Sequence, residues 1–190
     1  MEYRQSEVDR AAEIIRRGGV VVYPTETVYG LGADILNEVA VSKVCDLKGR
    51  GFKQPLSIAV SKDRIEEYAE VSEKARELID KYLPGPLTLV LKKKASVPGW
   101  ISHNEFVGIR VPDHKMAQGL LGKVGAITST SANLSGCGEA GTVEDISLEI
   151  TDHVDFVLDG GEAKYKKAST VVRVTDKIEV LRQGGLVLDE

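Results

Sequence analysis

The amino-acid sequence predicts an α/β fold: a single domain over residues 1–190, built on a mixed β-sheet with flanking helices. Two observations predict it. Short apolar runs of strand length interleave with stretches of helical periodicity, and no linker, repeat or low-complexity segment divides them. The closing runs, Phe156 to Leu158, Thr170 to Val174 and Ile178 to Leu181, come without helices between them, so part of the sheet must pair antiparallel. A chain of 190 residues, 42% hydrophobic and 28% charged, is long enough for one core and ordinary in composition.

The elements follow in order. Ser6 can cap a helix from Glu7 to about Arg17, with Val8, Ala12 and Ile15 on one face and Gly18-Gly19 as its stop. Val20 to Tyr23 reads as a short buried strand. Asn37 can cap a helix ending near Gly49, with Val41, Val44 and Cys45 inward. Leu56 to Val60 is a strand. Ser72 to Tyr82 is the most regular helix: Ala75, Leu78, Ile79 and Tyr82 keep i, i+3, i+4, i+7 spacing before Pro84-Gly85-Pro86. Strands over Leu87 to Leu91 and Val107 to Val111, a helix over Lys115 to Leu121 and a strand over Ala126 to Ser129 come next. Thr142 can cap a helix to about Ile150.

A net charge of −4 argues against a global basic field for nucleic acid and leaves room for a local basic groove. Two cysteines make no disulfide framework and suit a reducing compartment. His103, His114 and His153 stand apart from each other and from the cysteines, so no metal site is expected. The polar Met1 to Arg10 does not read as a signal peptide, and no apolar run nears the ~20 residues of a membrane helix. A cytoplasmic protein without membrane contact is expected.

Four loops carry candidate chemistry, each beside a strand end, where open α/β sheets bind ligands. Pro24 to Gly32 offers Thr25, Thr27 and Tyr29 hydroxyls with Gly30 and Gly32 for close backbone approach; a tight turn is the alternative. Lys48-Gly49-Arg50, followed by Lys53 and Gln54, places cations that could clamp a polyphosphate, or simply end a helix. Thr128 to Gly136 concentrates hydroxyls and Asn133, fit for phosphate, ribose or an amino-acid carboxylate, or for a solvated turn. Asp159 to Thr170 faces Arg182 to Gly185, where Arg182 could reach a phosphate or form a surface ion pair. Gly136 to Gly141 matches G-x-G-x-x-G without a preceding strand, so a dinucleotide fingerprint is rejected. No P-loop and no hydrolase triad occur.

Taken together, "YPTETVYGLG", "KGR…QPL", "PGPLTLVLKK", "VGIRVP", "TSANLSG", "LDGG", "STVV" and "LRQGG", in this order from about Ala11 to Gly185, resemble the YrdC-like threonylcarbamoyl-AMP synthase family. The resemblance implies a twisted sheet with a concave, positively lined cavity. It implies synthesis of threonylcarbamoyl-adenylate and pyrophosphate from L-threonine, bicarbonate or CO₂, and ATP with Mg²⁺. A separate transferase would then modify adenosine 37 of tRNA, and weak binding of tRNA or double-stranded RNA is compatible with the family. Carried over, Thr27, Arg110 and Ser129 would hold threonine. Lys48 and Arg50 would be the catalytic cations on triphosphate and carbamate. Gln54, Ser131, Asn133, Ser169 and Arg182 would bind the nucleotide, with no protein-held metal. The chain departs from the pattern at Gly51, Gln54, Ala59, Phe106, Ala168 and Gln183. The alternatives are a non-catalytic RNA-binding module with a basic concave face, and an ATP-dependent carbamoyl-transfer accessory protein.

Overall fold

In the computed structural model the described residues are 5–49, 51, 54–134, 136 and 138–189. Their order is α1 (Gln5–Arg16), β1 (Val21–Tyr23), β2 (Gly30–Gly32), α2 (Glu38–Leu47), β3 (Ser57–Ala59), a 3₁₀ turn (Lys62–Arg64), α3 (Ile65–Tyr68), α4 (Glu73–Tyr82), β4 (Leu87–Lys92), β5 (Phe106–Arg110), α5 (Lys115–Val124), β6 (Ile127–Ser131), α6 (Leu148–Thr151), β7 (Phe156–Val157), β8 (Thr170–Val174) and β9 (Ile178–Arg182). The strands form one nine-stranded sheet in the order β7-β1-β2-β6-β3-β5-β4-β8-β9. β1 with β7, β3 with β5 and β4 with β8 pair parallel; the other neighbours pair antiparallel. The sheet is mixed as expected, but of the helix-free closing strands only β8 and β9 pair antiparallel, while β7 and β8 join β1 and β4 in parallel.

Local signals place most elements. The Asn37 and Ser72 side chains accept the N–H groups of Ala40 and Ala75 and so start α2 and α4. Gly18, at φ +83, ends α1. Three expectations fail. Ser6 lies inside α1, which begins before it. No helix starts at Thr142: Asp145 takes the Gly141 and Thr142 N–H groups on its carboxylate, and this side-chain turn displaces helix until Leu148. The stretch after Tyr23 is not all loop, since Gly30–Gly32 returns as a strand beside β1. The short helices at 62–68 carried no readable period.

One face of the sheet is covered except at the edge strand β9, which is exposed along its length. Ile58, Leu89, Ile109 and Val172 pack there with α2 and α4 residues such as Val41, Cys45, Ala75 and Ile79. Val22 and Leu31 extend that face under Ala40, Val44 and Ile150. Each such buried aliphatic side chain contributes roughly 1.5–3 kcal/mol. On the other face α1 and α5 cover only part: Val21, Tyr23, Ala59 and Ile127 pack against Val8, Ile15, Leu120 and Leu121. The rest of that face is left open. No helix among the described residues is long and apolar enough to cross a membrane.

Candidate functional site

The open part of the sheet holds a cavity of about 250 Å³. Alternation sends every second side chain to this face, so strand register builds the wall. Gly30 lies opposite Ser131, Ser129 opposite Ser57, and Arg110 opposite Thr88. Thr88 in turn neighbours Val171, and Val171 lies opposite Arg182. All of these line the cavity. On β6 the same face carries Ile127, which is covered by helices, then Ser129 and Ser131, which are not. A register shift between Val171 and Val172 makes Leu181 an extra residue and brings Arg182 opposite Val171.

The β1–β2 loop forms one wall. The Thr25 hydroxyl donates to the Val28 carbonyl at 2.6 Å. Thr25 Oγ1 also accepts the Thr27 and Val28 N–H groups, each at 3.2 Å, and lies 2.9 Å from Thr27 Oγ1. Arg110 Nη2 donates to Thr27 Oγ1 at 2.8 Å. Gly30 and Gly32 have a reason besides ligand approach. A Cβ at Gly30 would lie 2.9 Å from Tyr23 Cζ, and one at Gly32 3.0 Å from Tyr23 Cδ1, so both make room for the Tyr23 ring. Burial pushes the Tyr23 phenol up to about 12. It stays neutral and donates to the Thr128 carbonyl at 3.2 Å.

Arg110 is 4% exposed. Its guanidinium donates to the Gly85 carbonyl, to Thr27 and, at 2.8 Å, to Glu26 Oε1. The other Glu26 oxygen accepts the Asp113 N–H at 3.0 Å. Lys48, 5% exposed, inserts its ammonium into the loop after β6. It donates to the Ser131 carbonyl at 2.7 Å, the Ser131 hydroxyl at 3.3 Å, Asn133 Oδ1 at 2.8 Å and the Asn133 carbonyl. At the far wall Arg182 donates to the Ser169 carbonyl at 2.9 Å, and the Ser169 and Thr88 hydroxyls lie 2.7 Å apart. A Cβ on Gly184 would come within 2.2 Å of the Ala168 carbonyl oxygen, so only glycine lets the 182–185 segment pass this close.

The expected site residues gather as follows. Thr27, Arg110, Ser129, Ser131, Ser169 and Arg182 line one cavity, and Arg110 and Arg182 are its charged groups among the described lining. Lys48 and Asn133 join it through Ser131. Gln54 is exposed just before Pro55 at the wall. Arg50 and Lys53 lie outside the described residues. Ala59 does not face the cavity but packs under α1 and α5. Sequence reasoning missed Glu26, Ser57 and Thr88. A polar residue inside an otherwise apolar strand was the available signal for the last two. Among the described residues no group of three or more His, Cys, Asp or Glu could hold a metal ion.

The chain is similar to known proteins over most of its length. The family model for Sua5, YciO and YrdC, described as telomere recombination, matches residues 13–184. A Methanocaldococcus jannaschii protein is 42% identical over 185 residues, 96% of this chain and 88% of its own length. The threonylcarbamoyl-AMP synthase of Pyrococcus abyssi is 39% identical over 95% of this chain, which spans only 54% of that protein. The Vibrio vulnificus threonylcarbamoyl-AMP synthase is 32% identical, over 94% of this chain and 99% of that protein. The crystal structure of P. abyssi Sua5 complexed with L-threonine superposes with a TM-score of 0.93 at 36% identity, over 98% of this chain and 56% of that one. The family model, the relatives and the shared fold agree: this chain belongs to the Sua5/YciO/YrdC family.

Proposed function

We propose that the protein is a threonylcarbamoyl-AMP synthase, joining L-threonine, bicarbonate or CO₂, and ATP with release of pyrophosphate. One observation carries the reading: the cavity collects Arg110, Arg182 and a ring of hydroxyls, with no carboxylate in its described lining. Such a wall suits anions, and the reaction must bring two anions together. The threonine amine bonds to CO₂ and loses a proton, giving a carbamate. A carbamate oxygen then attacks the α-phosphate, and the bond to pyrophosphate breaks.

In this reading Arg110 pairs with the threonine carboxylate, and Ser129 borders the amino acid. Thr27 takes an N–H of the amine on its hydroxyl oxygen. Ser131 and Asn133 hold the nucleotide, with Lys48 fixing both through its bonds to them. Ser169 and Arg182 approach the phosphates from the opposite wall, and Arg50 would meet the triphosphate. Magnesium belongs to the ATP, on phosphate oxygens. Preorganised donors of this kind offset the repulsion between the reacting anions. Product would pass to a separate transferase acting on tRNA adenosine 37, in the cytoplasm.

The RNA-binding alternative fares worse. Lys48 and Arg110, two of the cations it would use, are 5% and 4% exposed and turned inward, beyond reach of a duplex backbone. The test is pyrophosphate release with ATP, bicarbonate and each amino acid in turn. Release that depends on threonine, weakens modestly with serine and fails with valine supports the synthase. Release indifferent to the amino acid, or none, rejects it.

A further inference from the structure

Glu26 sits in the middle of the hydroxyl-rich loop, yet it does not line the cavity. It is 4% exposed. Its contacts tie its own loop to two other segments, the end of β5 with the residues just after it and the segment leading into β8. Oε1 accepts Arg110 Nη2 from the end of β5 at 2.8 Å. Oε2 accepts the Asp113 N–H, just beyond β5, at 3.0 Å. Its backbone carbonyl accepts the Tyr165 N–H, from the segment leading into β8, at 2.9 Å. Among the described residues Glu26 is the carboxylate paired with Arg110.

We propose that Glu26 is a positioning residue: it fixes the Arg110 guanidinium so that its remaining N–H groups face the cavity at a set angle. The Gly85 carbonyl, Thr27 Oγ1 and Glu26 Oε1 together take three of the five N–H groups of Arg110. Three anchors on one planar group leave it no freedom to rotate. Of the three, Glu26 alone is charged, and its second oxygen is itself held by backbone. A guanidinium so held meets an incoming carboxylate without reorganising, and orientation of this kind is lost steeply with misplacement. Glu26 thus acts on an amino-acid carboxylate through Arg110 and touches no substrate itself.

The inference about what Arg110 recognises rests on the threonine reading above; the inference about Glu26 does not. Two measurements separate them. The first is NMR of the arginine side-chain N–H groups in the full chain. In the wild type the Arg110 N–H signals should be resolved and slow to exchange. In Glu26→Gln they should average or broaden, although the amide keeps an acceptor. Unchanged Arg110 signals in Glu26→Gln would overturn the positioning role, whatever the substrate.

The second is steady-state pyrophosphate release. Glu26→Gln should raise KM for threonine by roughly ten- to a hundred-fold, on the scale of a ~1 Å misplacement. KM for ATP should stay within about twofold. A threonine KM equal to wild type, or threonine and ATP KM values rising together, would refute the proposal. If the wild type releases no pyrophosphate with threonine, the functional reading fails and the NMR comparison still decides Glu26. Glu26→Gln preserves shape, so it stands in where Glu26→Ala fails to fold.

Discussion

Replacing Arg110 with methionine should cost far more stability than removal of an ordinary surface arginine. The substitution keeps most of the volume and deletes the charge. It leaves the Glu26 carboxylate, 4% exposed, without its guanidinium, and strips the donor from the Gly85 carbonyl. Breaking a buried ion pair from one side costs about 3–5 kcal/mol. A domain of this size is stable by only ~5–15 kcal/mol in all. At ~2–4 °C per kcal/mol, the midpoint should fall by roughly 6–20 °C. The double variant Arg110→Met/Glu26→Gln removes the stranded charge and should recover about 1–3 kcal/mol relative to the sum of the single changes. Urea unfolding followed by circular dichroism and by the single tryptophan, Trp100, measures each corner of the cycle. All variants that lack Arg110 should also lose threonine-dependent turnover, which separates the binding role from the stability role. Arg110→Met within ~1 kcal/mol of wild type, or strict additivity in the double variant, would refute the claim that this pair is buried and coupled.

Lys48→Met should free the Ser131–Asn133 loop and lower adenylate synthesis by on the order of 10²–10³, chiefly at subsaturating ATP; near-normal rates would remove Lys48 from the site. Gly30→Ala should destabilise by about 1–3 kcal/mol, because its methyl would meet the Tyr23 ring at 2.9 Å; chemical denaturation reads it directly. Burial holds His114 below the usual histidine range. The unfolded chain then binds the extra proton, so this contribution to stability is present above pH ~6.5 and is lost as pH falls through ~6.5 toward the folded value. Melting curves between pH 7.5 and 5 should show the decline in wild type and a flatter profile in His114→Asn, above the range where carboxylates such as Asp145 begin to protonate.

Much of the candidate site is legible in the sequence, though unevenly. The Lys48, Thr27 and Ser131 segments stand out because hydroxyls and cations cluster next to strand ends. Ser57 and Thr88 escaped notice because each is one polar residue in an apolar run, and only register brings them to the cavity. Glu26 escaped because its partners, Arg110 and Asp113, lie more than eighty residues along the chain. The helix expected at Thr142 failed on a local competition, in which Asp145 offers the backbone a better acceptor than a first helical turn.

From the order of residues alone follow the class of fold, the caps at Asn37 and Ser72, the stop at Gly18 and the family signature. The caps and the stop depend on neighbours within a few positions, where backbone sterics act, and the fold class and signature on the order of motifs along the chain. Which face of the sheet stays open, which way Arg110 points and what Lys48 bonds to depend on contacts between distant segments. Only the folded sheet sets them, because a one-residue slip of β3, β5 or β6 would turn that strand's Ser57, Arg110 or Ser129 away from the cavity.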